Sequence, residues 1–364
     1  MSRKTKIWLI TAGALVLAGS LLFAGTMAAQ SWDFTRLSTV KYETNTYEID
    51  ESFGGTAPAG EFKTDTAGND KPSSSDSPAS DITNQFETNT HEIGGLFRNI
   101  AVTTDIADVS FAPSGDGTCR VECYEAENAR HLVSIEQDTL VIQIDDQSSW
   151  YAQIGIYFDT PKITVYLPET AYGALTITGS TGAIEVPEAF TFESAEISSS
   201  TGSVAFRAAV SGTASIQTTT GDIRAEHASA ASLALSVDTG AVNVADVTCQ
   251  NDLTVSVSTG KANLSNVSCE NLISSGSVGS ITLDHVTAAG QFSIERSTGH
   301  VNFTACDAGE IHVKTDTGDV TGSMLSEKIF FAESDVGSVD VPKTTTGGIC
   351  DLQTDTGNIA ITIE

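Results

Sequence analysis

Val237-Asp238-Thr239-Gly240-Ala241 sets an aspartate ahead of a Thr-Gly pair, the local pattern in which two facing carboxylates can share a proton and act as acid and base. Asp238 is not alone, however. The same three positions return as Ser180-Thr181-Gly182, Ser200-Thr201-Gly202, Thr219-Thr220-Gly221, Ser258-Thr259-Gly260, Ser277-Val278-Gly279, Ser297-Thr298-Gly299, Asp316-Thr317-Gly318, Asp335-Val336-Gly337 and Asp355-Thr356-Gly357. A place that accepts Ser, Thr or Asp is one where a short side chain hydrogen-bonds its own turn. Turns stacked in a row cannot aim two carboxylates at each other, so acid hydrolysis by Asp238 is set aside. Asp316, Asp335 and Asp355 hold this place in three successive copies, with Asp319 close by. At about 4.8 Å spacing, neighbouring carboxylates repel by about 0.9 kcal/mol in water. A hard cation would relieve this, and calcium tolerates loose oxygen geometry. These four aspartates are the metal candidates, although the Gly-Gly-x-Gly-x-Asp spacing of calcium-binding rolls is missing and turn capping is the favoured account. No other cofactor is expected.

Six cysteines offer little further chemistry. Cys249 and Cys269 share one offset in adjacent repeats, as small apolar fillers or, as the weaker reading, a bridge. Cys119 and Cys123 are too far apart on one strand to bond each other, and Cys306 and Cys350 take other inward offsets. No Cys-x-x-Cys or paired-His spacing indicates structural zinc. His91, His131, His227, His285, His300 and His312 are read as scattered, sharing no repeat position. Arg296 stands where Val237 and Val257 point inward; a local bulge and an ion pair to Glu295 or Asp316 would accommodate it.

These side chains are carried by a repeat. The turn glycines, Gly182, Gly202, Gly221, Gly240, Gly260, Gly279, Gly299, Gly318, Gly337 and Gly357, are 20, 19, 19, 20, 19, 20, 19, 19 and 20 residues apart. So constant a period signals stacked identical units. Around Gly260 the apolar residues are Leu253, Val255 and Val257, then Ala262, Leu264, Val267 and Cys269. Around Gly240 they are Leu233, Leu235 and Val237, then Val242, Val244, Val247 and Cys249. Ile311, Val313, Val320 and Leu325 take the corresponding places around Gly318. Alternation with period two on both sides of a glycine turn reads as strand, turn, strand with one face inward. The fold class expected is therefore all-β: a β-solenoid of about ten coils of 19–20 residues over 174–364, capped by a non-repetitive β region over 87–173. Ile100 to Phe111 reads as a degenerate coil without glycine, and the cap is expected to hold Trp150, Tyr151, Tyr157 and Phe158. The last residues, Ile359 to Glu364, still alternate, which predicts an uncapped, exposed final strand.

Ahead of the repeat, Ile7 to Ala29 are 23 uncharged, mostly apolar residues preceded by Arg3, Lys4 and Lys6. As a helix they reach about 34 Å, enough to cross a bilayer. An anchor is favoured over a cleaved signal peptide because the apolar run exceeds the usual length of a signal core. Basic residues stay inside, so residues 1–6 form a cytoplasmic tail, 7–29 a transmembrane helix and everything beyond lies outside. Residues 30–86 read as a stalk and disordered linker, with Gly54 to Asp81 rich in Gly, Ser, Thr, Asp and Pro. Glu43-Thr44-Asn45-Thr46-Tyr47-Glu48-Ile49 recurs as Glu87-Thr88-Asn89-Thr90-His91-Glu92-Ile93, and the second copy, running into Phe97, is read as the first strand of the domain. Eighteen Lys and Arg against 47 Asp and Glu give a net charge of −29, which excludes nucleic acid as a partner.

The anchor, the Glu-Thr-Asn-Thr-x-Glu-Ile strand and the Ser-Thr-Gly or Asp-Thr-Gly turns resemble, over residues 87–364, the bacterial β-strand-repeat family whose members are named putative adhesins and have no assigned function. The resemblance implies an adhesive role and supplies no catalytic or binding residue. The residues and the resemblance together predict a single-pass cell-membrane protein with an acidic extracytoplasmic domain. It would bind cell-wall polysaccharide or an envelope protein without catalysing a reaction. The alternatives are a polysaccharide-acting enzyme on a β-helix wall, for which clustered acids with bases are missing, and a self-assembling envelope element.

Overall fold

The computed structural model describes residues 86–126, 129–145 and 159–364. The span read at 7–29, the stalk up to residue 85 and Trp150, Tyr151, Tyr157 and Phe158 lie outside the described residues. Within them every regular element is a strand, and no helix is long and apolar enough to cross a membrane.

The first seven strands are β1 (Phe86–Ile93), β2 (Asn99–Thr104), β3 (Asp108–Pro113), β4 (Cys119–Ala126), β5 (His131–Glu136), β6 (Thr139–Ile144) and β7 (Lys162–Leu167). The repeats follow as β8 (Ala171–Thr181), β9 (Ile184–Val186), β10 (Thr191–Thr201), β11 (Val204–Phe206), β12 (Ala209–Thr220), β13 (Ile223–Glu226), β14 (Ser229–Thr239), β15 (Val242–Cys249), β16 (Asp252–Thr259), β17 (Ala262–Cys269), β18 (Asn271–Val278), β19 (Ile281–Thr298) and β20 (Val301–Thr317). Last come β21 (Val320–Met324), β22 (Lys328–Val336), β23 (Val339–Asp340), β24 (Gly348–Thr356) and β25 (Ile359–Ile363).

Each coil climbs one wall, turns at its glycine and returns along a second wall, and each strand pairs in parallel with its counterparts one coil away. The first wall runs β6, β2, β8, β10, β12, β14, β16, β18, the later halves of β19 and β20, then β24 and β22. The second runs β7, β3, β9, β11, β13, β15, β17, the earlier halves of β19 and β20, then β21, β25 and β23. Antiparallel β5 closes the first wall, and β4 followed by β1 closes the second.

The core is the inward set of every strand, one continuous apolar column per offset. Leu233, Leu253 and Leu272 stack in register, as do Val242, Ala262 and Ile281, all fully or almost fully buried. Just before the corner the inward column changes chemistry. Ser199, Thr218, Val237, Val257, Gly276, Arg296, Thr315, Thr354 and Ser334 follow one another in register. The Thr218 hydroxyl donates to the Gly202 carbonyl (3.2 Å), Thr315 to Gly299 (3.2 Å), Thr354 to Gly318 (2.9 Å) and Ser334 to Gly357 (2.7 Å). Threonine replaces valine here because its shape is the same and the neighbouring glycine offers a carbonyl to its hydroxyl.

A second, left-handed bend follows five of the corners. His227, Asp246, Asn266, His285 and Ala305 have φ between +48° and +55°, and each stands six residues after its glycine. His227 and His285 thus share a repeat position, which corrects the reading of the histidines as scattered. Asn, Asp and His enter the left-handed region more easily than other side-chain-bearing residues because a short polar group can bond locally. The coil of Gly318 lacks this bend, and β21 drops one residue relative to β20. Met324 consequently points inward, and Leu325, expected inside, is 47% exposed.

Chain order departs from spatial order at both ends. Strands β24 and β25 insert between β20–β21 and β22–β23, pairing on both sides. The C-terminal strand is therefore not the exposed edge expected of it: Ile361 is 4% exposed, and the open edge is β22 with β23. At the other end β2 and β3 lie between β6–β7 and β8–β9 in the same manner. The degenerate coil read at Ile100 to Phe111 is this inserted one. Sequence period reports which residues resemble each other and carries no information about which coil a chain end invades.

Candidate functional site

The glycine corners stack as one column. Gly182, Gly202, Gly221, Gly240, Gly260, Gly279, Gly299, Gly318 and Gly357 have φ between +128° and +157°, and Gly337 is the one predicted corner outside this range. A Cβ on Gly240 would lie 1.9 Å from the Gly221 carbonyl oxygen, and one on Gly260 1.7 Å from that of Gly240. The corner therefore excludes side chains twice, by backbone conformation and by the approach of the coil below.

With the glycines packed that tightly, the two residues before each are pushed outward. Thr181, Thr201, Thr220, Thr239, Thr259, Val278, Thr298, Thr317, Thr356 and Val336 form one in-register column, every member exposed and β-branched. Beside it runs the equally exposed column of Ser180, Ser200, Thr219, Asp238, Ser258, Ser277, Ser297, Asp316, Asp355 and Asp335. Asp238 thus points to solvent from a straight row and faces no second carboxylate. The spatial order of the acids is Asp316, Asp355, Asp335, which corrects the order given by sequence. Asp319 lies past the corner, where it accepts from the Asn358 backbone (2.7 Å) and stands 3.5 Å from His300 Nδ1. No three carboxylates of this row bring oxygens within 4.8 Å of one another among the described residues.

A cleft of about 400 Å³ opens beside these columns, between Ser256, Ser258, Ser275, Ser277, Glu295 and Lys314. Its inner wall contains Gly276 and Arg296. The expected bulge and ion pair for Arg296 are absent: the residue is 3% exposed, and its guanidinium donates to Ser274 Oγ (2.7 Å) and leaves Nε without a partner. Gly276 makes the room, since a Cβ there would meet the Arg296 Nη1 atom. Desolvation lowers the Arg296 pKa to about 10. Lys328 is a second buried cation, whose burial the sequence does not signal; it pairs with Asp307 (2.5 Å) and donates to the Ala308 carbonyl (2.7 Å) and Ser326 (2.8 Å).

All six cysteines are buried and free. Cys249 and Cys269 are fillers in the short column that continues to Ala288 and Ala308, and no bridge joins them. The structure does gather one set that sequence spacing hid. Cys123 and Glu125 lie two apart on the inward face of β4, and His131 opens β5 beside them, with ligand atoms of all three within 4.8 Å of one another. The i, i+2 spacing on a strand was the available signal, but the histidine arrives on a strand of the other wall, whose placement the sequence does not give.

The family model described as Toastrack DUF4097 matches residues 97–251 and 246–364. Solved structures match this chain at low identity. A putative adhesin from Bacteroides fragilis is 14% identical, covering 76% of this chain and 97% of its own, with a TM-score of 0.32. One from Parabacteroides distasonis is 12% identical, covering 66% and 98%, with a TM-score of 0.43. A putative lipid binding protein from Parabacteroides distasonis is 14% identical, covering 76% and 96%, with a TM-score of 0.24. A comparison with curated proteins finds no match. Those structural scores carry no argument about function, whereas the two family matches together span most of the sequence, and the chain belongs to the Toastrack DUF4097 family.

Proposed function

We propose that this protein is a membrane-anchored, extracytoplasmic binding rod, adhesin-like and without catalytic activity, whose corner edge takes an extended polysaccharide of the cell envelope. The observation that carries the reading is the exposed edge of paired columns. It offers one methyl-and-hydroxyl or branched apolar group per coil and, beside it, one hydroxyl or carboxylate, at the regular spacing of stacked strands. A ligand that itself repeats can make the same weak contact many times along such an edge, and affinity then grows by linkage of sites rather than by one deep pocket. The cleft at Ser256 and Ser275 adds one concave position to an otherwise even wall. The apolar run Ile7 to Ala29 with its basic flank supports the anchor and the outward orientation.

Two measurements test this. A reporter enzyme that is active only outside the membrane, fused after Glu364, should be active; activity only from a cytoplasm-specific reporter overturns the placement. Binding of the full chain to purified cell-wall polysaccharide should weaken at least tenfold in the triple variant Thr220→Glu, Thr239→Glu, Thr259→Glu. Binding that is absent, or unchanged in that variant, overturns the role of the edge.

A further inference from the structure

We propose that Cys123, Glu125 and His131 form a zinc site that pins the N-terminal cap. The three side chains are 0%, 2% and 7% exposed, and their ligand atoms lie within 4.8 Å of one another at the closed end of the solenoid. One thiol sulfur, one imidazole nitrogen and one carboxylate oxygen make a mixed donor set that suits zinc and excludes calcium and magnesium, which take oxygen alone.

The surrounding groups are arranged as a metal's outer partners are. Asn89 Nδ2 donates to Glu125 Oε1 (2.9 Å), which leaves Oε2 turned towards the histidine. The His131 backbone N–H donates to that same Oε2 (2.8 Å), and Thr104 Oγ1 meets His131 Nε2 at 3.1 Å. Thr104 Oγ1 can accept from Nε2–H, which leaves Nδ1 as the nitrogen to bind, and Nδ1 stands 2.8 Å from Glu125 Oε2 in a hydrogen bond that one proton bridges. Zinc entering there displaces that shared proton and the Cys123 thiol proton, so two protons leave as one dication arrives. His91 on β1, whose cross-strand neighbour Val121 lies two residues from Cys123, has a buried Nε2 with no hydrogen-bond partner but stands outside the 4.8 Å cluster. A water molecule serves the fourth position. Since β1, β4, β5 and β2 all contribute, one ion would tie both walls of the cap.

The test is cobalt(II), then zinc, titrated into the full-length chain, purified in detergent and stripped with a chelator. One cobalt per chain with a thiolate-to-cobalt charge-transfer band is expected, and zinc should displace it and raise the melting midpoint. The band should vanish in Cys123→Ser and persist in Cys119→Ser, which alters the same face of β4 outside the cluster. Thr104→Val, which leaves all three ligands in place, should weaken metal binding at least tenfold. No thiolate band, or a band that survives Cys123→Ser, overturns the site. So does a zinc-induced rise in midpoint that is equal in the parent and in Cys123→Ser, and Cys119→Ser controls for a variant that fails to fold.

Discussion

Gly240 shows how far a single atom can matter in a stack. Its φ of +146° and the 1.9 Å approach of the Gly221 carbonyl mean that Gly240→Ala must both strain the backbone and push two coils apart. A loss of about 2–4 kcal/mol is expected, read as a lower midpoint in a thermal or denaturant melt. Arg296 illustrates the opposite sign. A native pKa near 10 lies below that of an ordinary arginine, so the group's destabilisation is fully present below pH 10 and is relieved as pH rises above it. Arg296→Met, which removes a buried cation that has no anionic partner, should raise stability at pH 7 by about 1–3 kcal/mol in the same melt. The cysteines make a kinetic prediction. Burial lifts the thiols of Cys119 and Cys249 to about 11 and those of Cys123, Cys269 and Cys350 to about 12. At pH 8 only about one thiol in a thousand or fewer is then ionised, so the native chain should resist alkylation while the unfolded chain reacts at all six.

At the scale of elements, the inserted β24–β25 pair changes what a C-terminal mutation should do. Because β25 is bonded on both sides, Ile361→Asp places a charge inside the core. It should cost about 3 kcal/mol or more in a melt, with no effect on association as long as the chain folds. The open edge is β22, where Phe331 is 59% and Val336 66% exposed, followed by β23 with Val339 at 44%. Phe331→Lys should therefore leave the melt unchanged and abolish any concentration-dependent association seen by sedimentation. The Leu325 reversal belongs to this scale as well. Losing one bend residue between Gly322 and Met324 exchanges inside for outside over the rest of the strand, as any one-residue slip must.

Over residues 86–364 the chain has 11 Lys and Arg against 37 Asp and Glu, and stacking its coils sets like charges side by side. Raising sodium or potassium chloride from low to physiological strength should raise the melting midpoint, by equal amounts for the two salts, because the effect is screening. A further rise with zinc alone, lost in Cys123→Ser, would come from the cap and not from the walls.

The repeat period, the inward offsets and the glycine corners were legible in the sequence because each coil meets a copy of itself. The same environment recurs every 19–20 residues, so the same residue types do, and the exceptions are local. What the tertiary structure alone decided is where unlike parts meet. The insertion of β24–β25 and of β2–β3, the place made for Arg296 by Gly276 one coil away, and the meeting of Cys123, Glu125 and His131 each join segments that do not repeat. Their partners are fixed by packing in space, where distance along the chain leaves no periodic trace.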